Sequence, residues 1–238
     1  MKRIGLLFLW GLWLYGNIQA QSVMHVVILG DSNTFIGGDQ CDKPQGWNKW
    51  FKELAKPLSC RSYARSGATW THTSNTVYDI EENTGVLSDN NVIYNQVNRL
   101  LKETGEEKTQ PTPDLILIMA GTNDLWFASK RPEPLAKYIR QNCETLGTAF
   151  PKARIILITP PPFTRVPMAT QHQAAAEIEQ CAQAMHLSVI RLDRAKPLLP
   201  AKKLIKRGYS KDGVHTTEKG AKVLGHYIYE QVQKLLQQ

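Results

Sequence analysis

The sequence lacks most of the patterns that assign a chain to a functional class at first inspection. Its 238 residues contain no internal repeat and no low-complexity segment, so a repeat architecture is not indicated. They also contain no zinc-ligand spacing, no P-loop and no G-x-G-x-x-G, the usual motifs for a structural zinc site or a bound nucleotide. The only dense basic run is KKLIKR, from Lys202 to Arg207. Nucleic-acid binding therefore has no positive support.

No apolar run is long enough to span a bilayer, which takes roughly 20 residues. The run from Ile4 to Tyr15 has 12 residues, follows Lys2 and Arg3, and is followed by a small residue, Ala20. This order is typical of a cleaved signal peptide. No cysteine lies near Ala20, so a lipid anchor is not indicated. We therefore predict that residues 1–20 are a signal peptide, that residues 21–238 form one domain, and that the protein is secreted or periplasmic.

The chain carries more positive than negative charge, with a formal net charge of +8. Loss of Lys2 and Arg3 with the signal peptide would lower it to +6. A positive surface can attract acidic polymers or anionic surfaces, although a solvated basic face is the simpler interpretation.

Five apolar runs rich in β-branched residues alternate with amphipathic stretches. Two runs, DLILIMAGTND and ARIILITPPP, are almost continuously apolar, as in strands buried on both faces. The predicted strands are Met24–Leu29, Ser59–Ala64, Leu115–Ala120, Arg154–Thr159 and Leu187–Leu192. The predicted helices are Trp47–Lys56, Val92–Glu103, Pro134–Phe150, Ala169–His186 and Glu218–Leu236. This alternation predicts βαβ units and a three-layer α/β/α sandwich around a parallel sheet.

Small polar residues follow several of the predicted strands. The clusters are Gly30-Asp31-Ser32-Asn33, Arg65-Ser66-Gly67-Ala68, Gly121-Thr122-Asn123-Asp124 and, before the last helix, Asp212-Gly213-Val214-His215. The first cluster alone has an ordinary turn composition. However, the carboxyl ends of parallel strands share one edge of the sheet, where such folds bind their ligands. The clusters together therefore indicate a functional site at that edge.

The residue types in these clusters match the requirements of acyl transfer by a serine. Ser32 supplies a hydroxyl nucleophile, His215 a base that titrates near neutrality, and Asp212 a carboxylate that can orient the imidazole. Gly67 can offer a backbone N–H and Asn123 a side-chain N–H to an oxyanion.

These motifs resemble those of the SGNH, or GDSL-type, hydrolase superfamily. The four signature residues match Ser32 in GDSNT, Gly67 in ARSGAT, Asn123 in GTND and His215 in DGVH, in the same order over nearly all of the mature chain. The resemblance implies a flavodoxin-like sandwich with five parallel strands and a Ser-His-Asp mechanism without a metal or organic cofactor. It also implies that the backbone of Ser32 joins Gly67 and Asn123 in the oxyanion hole.

Two details of the motifs complete this comparison. Thr216 stands where the family often has proline, and we expect Thr216 or Thr217 to cap the last helix instead. The chain has no G-x-S-x-G, which excludes the α/β-hydrolase nucleophile elbow as an interpretation of Ser32.

Several other residues near the predicted edge have two interpretations each. Asp31 fits a buttress of the turn better than a second catalytic acid, and Asp124 fits an Asx-turn or helix cap better than a substrate contact. Aromatic residues near the edge could stack on sugar rings or close the loops over the core, namely Trp47, Trp70, Trp126 and Phe163. Arg165 is a candidate contact for an anionic substrate, and His72 is best interpreted as an exposed loop residue.

The sequence thus predicts an exported serine esterase acting on a small-molecule or glycan ester. The Thr- and Asn-rich segment Ser66–Asn90 and the nearby aromatics favour a short acyl group, chiefly acetyl, on carbohydrate. The alternatives are a lysophospholipase or thioesterase, which would need an apolar acyl groove, and a non-catalytic glycan-binding module on the same fold. The acyl group, the alcohol and the oligomeric state are left open.

Four cysteines allow three pairings, and the sequence alone does not choose among them. Cys143 and Cys181 lie towards the ends of two consecutive helices that should run in the same direction, so a bridge between them is one candidate and buried free thiols are the other. Cys41 should lie at the functional edge and Cys60 at the opposite edge. That pair would exceed the limit of about 7 Å between the Cα atoms of a disulfide.

Overall fold

The computed structural model describes residues 24–71, 92–126 and 134–238. Its sheet has five parallel strands in the order β2-β1-β3-β4-β5. The strands are β1 His25–Gly30, β2 Ser59–Ser62, β3 Leu115–Met119, β4 Arg154–Ile158 and β5 Ser188–Ile190. Strand β1, which leads into the GDSN cluster, therefore lies between β2 and β3.

Seven α-helices occur within the described residues, on both faces of the sheet. They are α1 Ser32–Phe35, α2 Trp47–Ala55, α3 Ile93–Thr104, α4 Thr122–Trp126, α5 Leu135–Ala149, α6 Met168–Ala184 and α7 Glu218–Leu236. Side chains alternate between the two faces of each strand. Accordingly, Val27 and Leu29 pack with α3, α5 and α6, whereas Val26 and Ile28 pack with α2 and α7. The predicted α/β/α sandwich with five parallel strands is confirmed.

The predicted boundaries agree with the structure for the long elements and miss the short ones. The two short helices that carry the predicted site residues Ser32 and Asn123, α1 and α4, were not predicted because four or five residues are too few for a helical period to appear. Residues 196–213, between β5 and α7, contain two short 3₁₀ turns, Lys196–Leu198 and Ala201–Lys203.

The predicted signal peptide lies outside the described residues. So do residues 72–91, which include most of the Thr- and Asn-rich segment Ser66–Asn90. Among the helices that the structure describes, none is both long enough and apolar enough to cross a membrane.

The structure corrects the expected separation of Cys41 and Cys60. Their sulfur atoms are 3.2 Å apart. After α1 the chain turns back along β2, where the amide of Ser62 donates to the Asp39 carbonyl at 2.8 Å. Because β2 has only four residues, Cys60 lies two residues, or about 7 Å, from its carboxyl end. The expected distance between opposite edges of the sheet was therefore wrong for this short strand.

The other two cysteines lie on one face of the sheet, as expected. Cys143 and Cys181 belong to the same apolar cluster and are both buried. All four cysteines are free thiols in the structure, and a bridge between Cys143 and Cys181 stays a prediction.

Candidate active site

The end of β1 is held rigidly on both sides. A Cβ atom at Gly30 would lie 2.6 Å from the Met119 carbonyl oxygen, so only glycine allows this approach of β1 to β3. The buried side-chain amide of Gln96 accepts a hydrogen bond from the Gly30 N–H and donates one to the Gly30 carbonyl, each 2.9 Å long. Sequence reasoning missed Gln96, which carries no motif. Ser32 therefore starts α1 from a fixed position.

Asp31 caps this short helix, in agreement with its expected role in the turn. Its Oδ1 accepts the Asn33 amide at 3.0 Å. The carboxyl group is fully buried, and Oδ2 has no hydrogen-bond partner. Burial raises the pKa of Asp31 to about 6, and the charge of nearby Asp124 adds to the rise, although Thr122 and the Asn33 amide oppose it.

The raised pKa of Asp31 makes the free energy of unfolding depend on pH. The folded chain keeps the proton at pH values where the unfolded chain has lost it, so this group's contribution is present below about pH 4 and is lost as pH rises to about 6. We expect Asp31→Asn to remove about 2–3 kcal/mol of this pH dependence, a figure that corresponds to about two pKa units. Urea unfolding of both proteins between pH 4 and 8 measures it. If the free energies of unfolding of the two proteins changed in parallel with pH, Asp31 would be ionised in the folded chain over this range.

His215 is placed by a tight turn before α7. Asp212 Oδ1 accepts the amides of Val214 and His215 at 2.9 and 2.8 Å and the Ser210 hydroxyl at 3.1 Å. Thr217, one of the two predicted caps, is the N-cap of α7, where its Oγ1 accepts the Gly220 amide at 3.2 Å. These contacts hold the imidazole above the carboxyl edge of the sheet.

A continuous hydrogen-bond chain joins the three predicted catalytic side chains. His215 Nδ1 lies 2.7 Å from Asp212 Oδ2, and His215 Nε2 lies 3.0 Å from Ser32 Oγ. A carboxylate only accepts hydrogen bonds, so we assign the proton to Nδ1, which leaves Nε2 to accept from the Ser32 hydroxyl. This tautomer is the one that a general base requires.

Asp212 is ionised at every working pH. Its partial burial raises the pKa, but hydrogen bonds from the His215 ring and from the amides of Val214 and His215 outweigh burial, and the net pKa lies well below the usual range. The carboxylate can therefore stabilise a positive charge on His215.

Asn123 contacts the residue that follows Gly67. Gly67 has φ +76°, a left-handed conformation that favours glycine, and it has no side chain of its own beside its N–H. Asn123 lies on α4, and its Nδ2 donates to the carbonyl of Ala68, the residue after Gly67, at 2.9 Å. Because an amide nitrogen carries two hydrogens, one N–H of Asn123 remains to face a ligand.

Asp124 joins the loop that contains Gly67 to the end of β3. Its carboxylate accepts the Trp70 amide at 2.9 Å, the Thr71 amide at 3.0 Å and the Thr71 hydroxyl at 2.8 Å. We expected a local turn or cap for Asp124, and its bonds to Trp70 and Thr71, more than fifty residues away in the chain, were not foreseen. The contacts set the position of Gly67 relative to Asn123.

Three of the four aromatic candidates are core residues. Trp47, Trp70 and Phe163 are each no more than 1% exposed, and Trp70 Nε1 donates to the Ala120 carbonyl at 3.1 Å. The proposal of Trp70 as a substrate contact was therefore wrong, because its ring closes the loop over the core.

Trp126 and Arg165 differ from these core aromatics, because both are exposed at the carboxyl edge. The Trp126 side chain is 42% exposed, and the Arg165 guanidinium lies 4.8 Å from the centre of its ring. The Thr164 amide donates to the Gly213 carbonyl at 2.9 Å, which places Arg165 next to the His215 turn. His72 lies outside the described residues.

Replacement of Asn123 tests its predicted role as an oxyanion donor. We expect Asn123→Ala to fold, to keep KM nearly unchanged and to lower kcat by about 10²–10³-fold, because the donor is strongest when the carbonyl oxygen is charged. Melting temperature and kcat are measured on one preparation. Thr71→Val is the matched control, since it removes a hydroxyl bond to Asp124 and leaves Asn123 intact. An unchanged kcat in Asn123→Ala, or an equal loss in the control, would contradict the role.

No group of three or more His, Cys, Asp or Glu side chains in the described ranges is arranged to bind a metal ion. The polar groups described above belong to the hydrogen-bond chain of Ser32, His215 and Asp212 and to the loop that contains Gly67.

Comparisons with known proteins bear on the family and the fold. The GDSL-like lipase/acylhydrolase family model matches residues 28–223. A lipase/acylhydrolase from Enterococcus faecalis is 21% identical with a TM-score of 0.58, covering 89% of this chain and 96% of that chain. A GDSL-like lipase from Bacteroides thetaiotaomicron is 19% identical with a TM-score of 0.55, covering 92% and 91%.

A structure described as a peptidoglycan O-acetylesterase is 14% identical with a TM-score of 0.54, covering 75% of this chain and 47% of that chain. These likenesses between structures concern the fold. No curated protein sequence matches. The family model covers the segment from β1 to α7, and on that basis the chain belongs to the GDSL-like lipase/acylhydrolase family.

Proposed function

We propose that the protein is an exported serine esterase that removes short acyl groups, chiefly acetyl, from carbohydrate. The observation that carries the proposal is the hydrogen-bond chain from Asp212 through His215 to Ser32. Family membership supports ester hydrolysis. Export is part of the proposal, and N-terminal sequencing of secreted protein should find a first residue at or near Gln21. Recovery of intact Met1 in a membrane fraction would contradict export.

The first half-reaction forms an acyl-enzyme. Ser32 Oγ attacks the ester carbonyl carbon while its proton passes to His215 Nε2, and the positive imidazolium is stabilised by Asp212. The tetrahedral intermediate collapses when His215 donates that proton to the leaving alkoxide, which departs as an alcohol. The second half-reaction repeats these steps with water as the nucleophile and releases the acid.

The carbonyl oxygen gains negative charge in both half-reactions. The amides of Ser32 and Gly67 and the second side-chain N–H of Asn123 are the proposed donors. They are held before the reaction begins, by α1, by the Asp124 contacts and by the Ala68 carbonyl. A donor that needs no reorientation lowers the barrier most effectively.

The described residues around His215 carry groups that can hydrogen-bond an alcohol. A cavity of about 460 Å³ beside it is lined by Gln45, Lys211, Asp212, His215, Thr216, Thr217 and Glu218. The exposed ring of Trp126, with Arg165 over it, offers a surface for a sugar ring or an anionic group. That a peptidoglycan O-acetylesterase shares the fold is compatible with this substrate class.

A substrate panel distinguishes this proposal from a lipase or thioesterase. We expect kcat/KM to be at least about tenfold higher for p-nitrophenyl acetate than for the octanoate, because burial of six further methylenes is favourable only in an apolar groove. Release of acetate from an O-acetylated polysaccharide should also be detectable. Faster cleavage of the octanoate would favour the lipase alternative, and no cleavage of any ester would favour the binding module.

The variant Trp126→Ala separates carbohydrate recognition from chemistry. We expect it to raise KM for the acetylated polysaccharide and to leave the hydrolysis of p-nitrophenyl acetate unchanged, because the small ester does not need the exposed ring. The buried Trp70 is not a suitable control, since its loss would disturb the core. Equal effects of Trp126→Ala on both substrates would exclude a role in sugar binding.

A further inference from the structure

Two cysteine side chains, Cys41 and Cys60, lie close together outside the active site. Cys60 Sγ donates a hydrogen bond to Cys41 Sγ over 3.2 Å. A disulfide bond is about 2.05 Å long, so the two atoms would need to approach by only about 1.1 Å. Within the described part of the chain, no other two sulfur atoms are joined by a hydrogen bond.

The surroundings favour a bond between these two sulfurs over any other partner. Cys41 and Cys60 are 1% and 5% exposed, and both belong to the apolar cluster between the sheet and α2. Cys143 and Cys181 lie in the cluster on the opposite face of the sheet. The sheet therefore separates the two pairs, and exchange of partners would require unfolding.

We propose that Cys41 and Cys60 form a disulfide bond that ties the segment after α1 to β2. This segment also carries Gln45, whose carbonyl accepts the Thr216 hydroxyl at 2.7 Å, beside His215. A bond at Cys41 would therefore stabilise a segment that contacts the active-site turn. The proposal does not depend on the proposed function.

The reaction needs an external disulfide as oxidant, for example oxidised glutathione. The thiolate of one cysteine attacks this disulfide, forms a mixed disulfide and releases one glutathione thiolate. The thiolate of the second cysteine attacks the mixed disulfide and releases the other. The two cysteines lose two protons and two electrons, and the oxidant is reduced to two thiols.

The bond should form before the pair is buried. The hydrogen bond with Cys41 and burial raise the pKa of Cys60 well above its ordinary value, which makes thiolate attack slow in the folded protein. Refolding of the reduced chain in the presence of the oxidant is therefore the appropriate experiment.

The full chain is reduced, unfolded and refolded with oxidised and reduced glutathione, then alkylated without further reduction and mapped by mass spectrometry. We expect the peptides of Cys41 and Cys60 to be joined, with a mass two hydrogens below their sum, and Cys143 and Cys181 to be alkylated. Alkylation of both Cys41 and Cys60, or a bond from either to another cysteine, would overturn the proposal.

Thermal unfolding gives a second readout. The two cysteines are separated by 19 residues in sequence, and closing a loop of that size should make the melting temperature of the oxidised protein about 6–12 °C higher than that of the reduced protein. The double variant Cys143→Ala/Cys181→Ala should keep this difference, whereas Cys60→Ala should lose it. If Cys60→Ala does not fold, the wild-type peptide map still decides. A difference that survives in a folded Cys60→Ala variant would also overturn the proposal.

Discussion

Ser32→Ala is expected to lower kcat by about 10⁴–10⁶-fold while the protein stays folded. Ser32 is 5% exposed, and alanine fits the same space without its oxygen. The loss is large because the acyl-enzyme cannot form, and only the oxyanion donors and substrate binding remain. Hydrolysis of p-nitrophenyl acetate and the melting temperature are measured on the same preparation.

A second serine–histidine pair in this chain provides a matched control. His25 Nδ1 lies 2.8 Å from Ser59 Oγ, at the amino-terminal ends of β1 and β2. Asp114 contacts the backbone amide of His25 and not its ring. We expect Ser59→Ala to leave kcat unchanged within about twofold, as for a surface substitution away from the chemistry. Activity that survives Ser32→Ala or disappears in Ser59→Ala would refute the assignment of the nucleophile.

Asp212→Asn is expected to lower kcat by about 10³–10⁴-fold. An asparagine amide that donates to His215 Nδ1 would force the ring proton onto Nε2, which then cannot accept from the Ser32 hydroxyl. The neutral side chain would also no longer stabilise the imidazolium, whereas the carboxylate's depressed pKa keeps it charged in the native protein. Single-turnover acylation by p-nitrophenyl acetate measures the step affected.

Ser210→Ala is the control for this substitution. It removes the 3.1 Å hydrogen bond to Asp212 Oδ1 and the acceptor of the Gly213 amide, and it leaves the groups that form the contact from Oδ2 to His215 in place. We expect a decrease in kcat of no more than about tenfold, since the backbone amides of Val214 and His215 still hold the carboxylate. Activity of Asp212→Asn within tenfold of the native protein would show that His215 acts without it.

The strongest predictions from sequence concern elements with a clear period or a compact motif. The near-continuous apolar run of β3, Leu115–Met119, identified a strand buried on both faces, and GTND follows directly. Gln96, in contrast, lies on the ordinary amphipathic helix α3, and only the packing of that helix against β1 brings its amide to Gly30. Nothing in the local sequence distinguishes such a residue from a solvated glutamine.

The role of Trp70 illustrates a second limit of prediction from sequence, which concerns the direction of a side chain. An aromatic residue that follows a strand end in sequence can face a ligand or the core, and both occur close to an active site. The direction is set by the Asp124 carboxylate, which binds the Trp70 and Thr71 amides and draws the loop inward. This contact is between residues more than fifty positions apart, so no sequence window contains it.

The sequence by itself determined the order of strands and helices and the edge at which Ser32, Gly67, Asn123 and His215 assemble. The physical reason is that parallel strands joined by helices must place all their carboxyl ends on one side. Only the tertiary structure decided the distances within the hydrogen-bond chain and the meeting of Cys41 with Cys60. Both depend on the path of aperiodic segments, whose direction is set by hydrogen bonds between residues far apart in the chain.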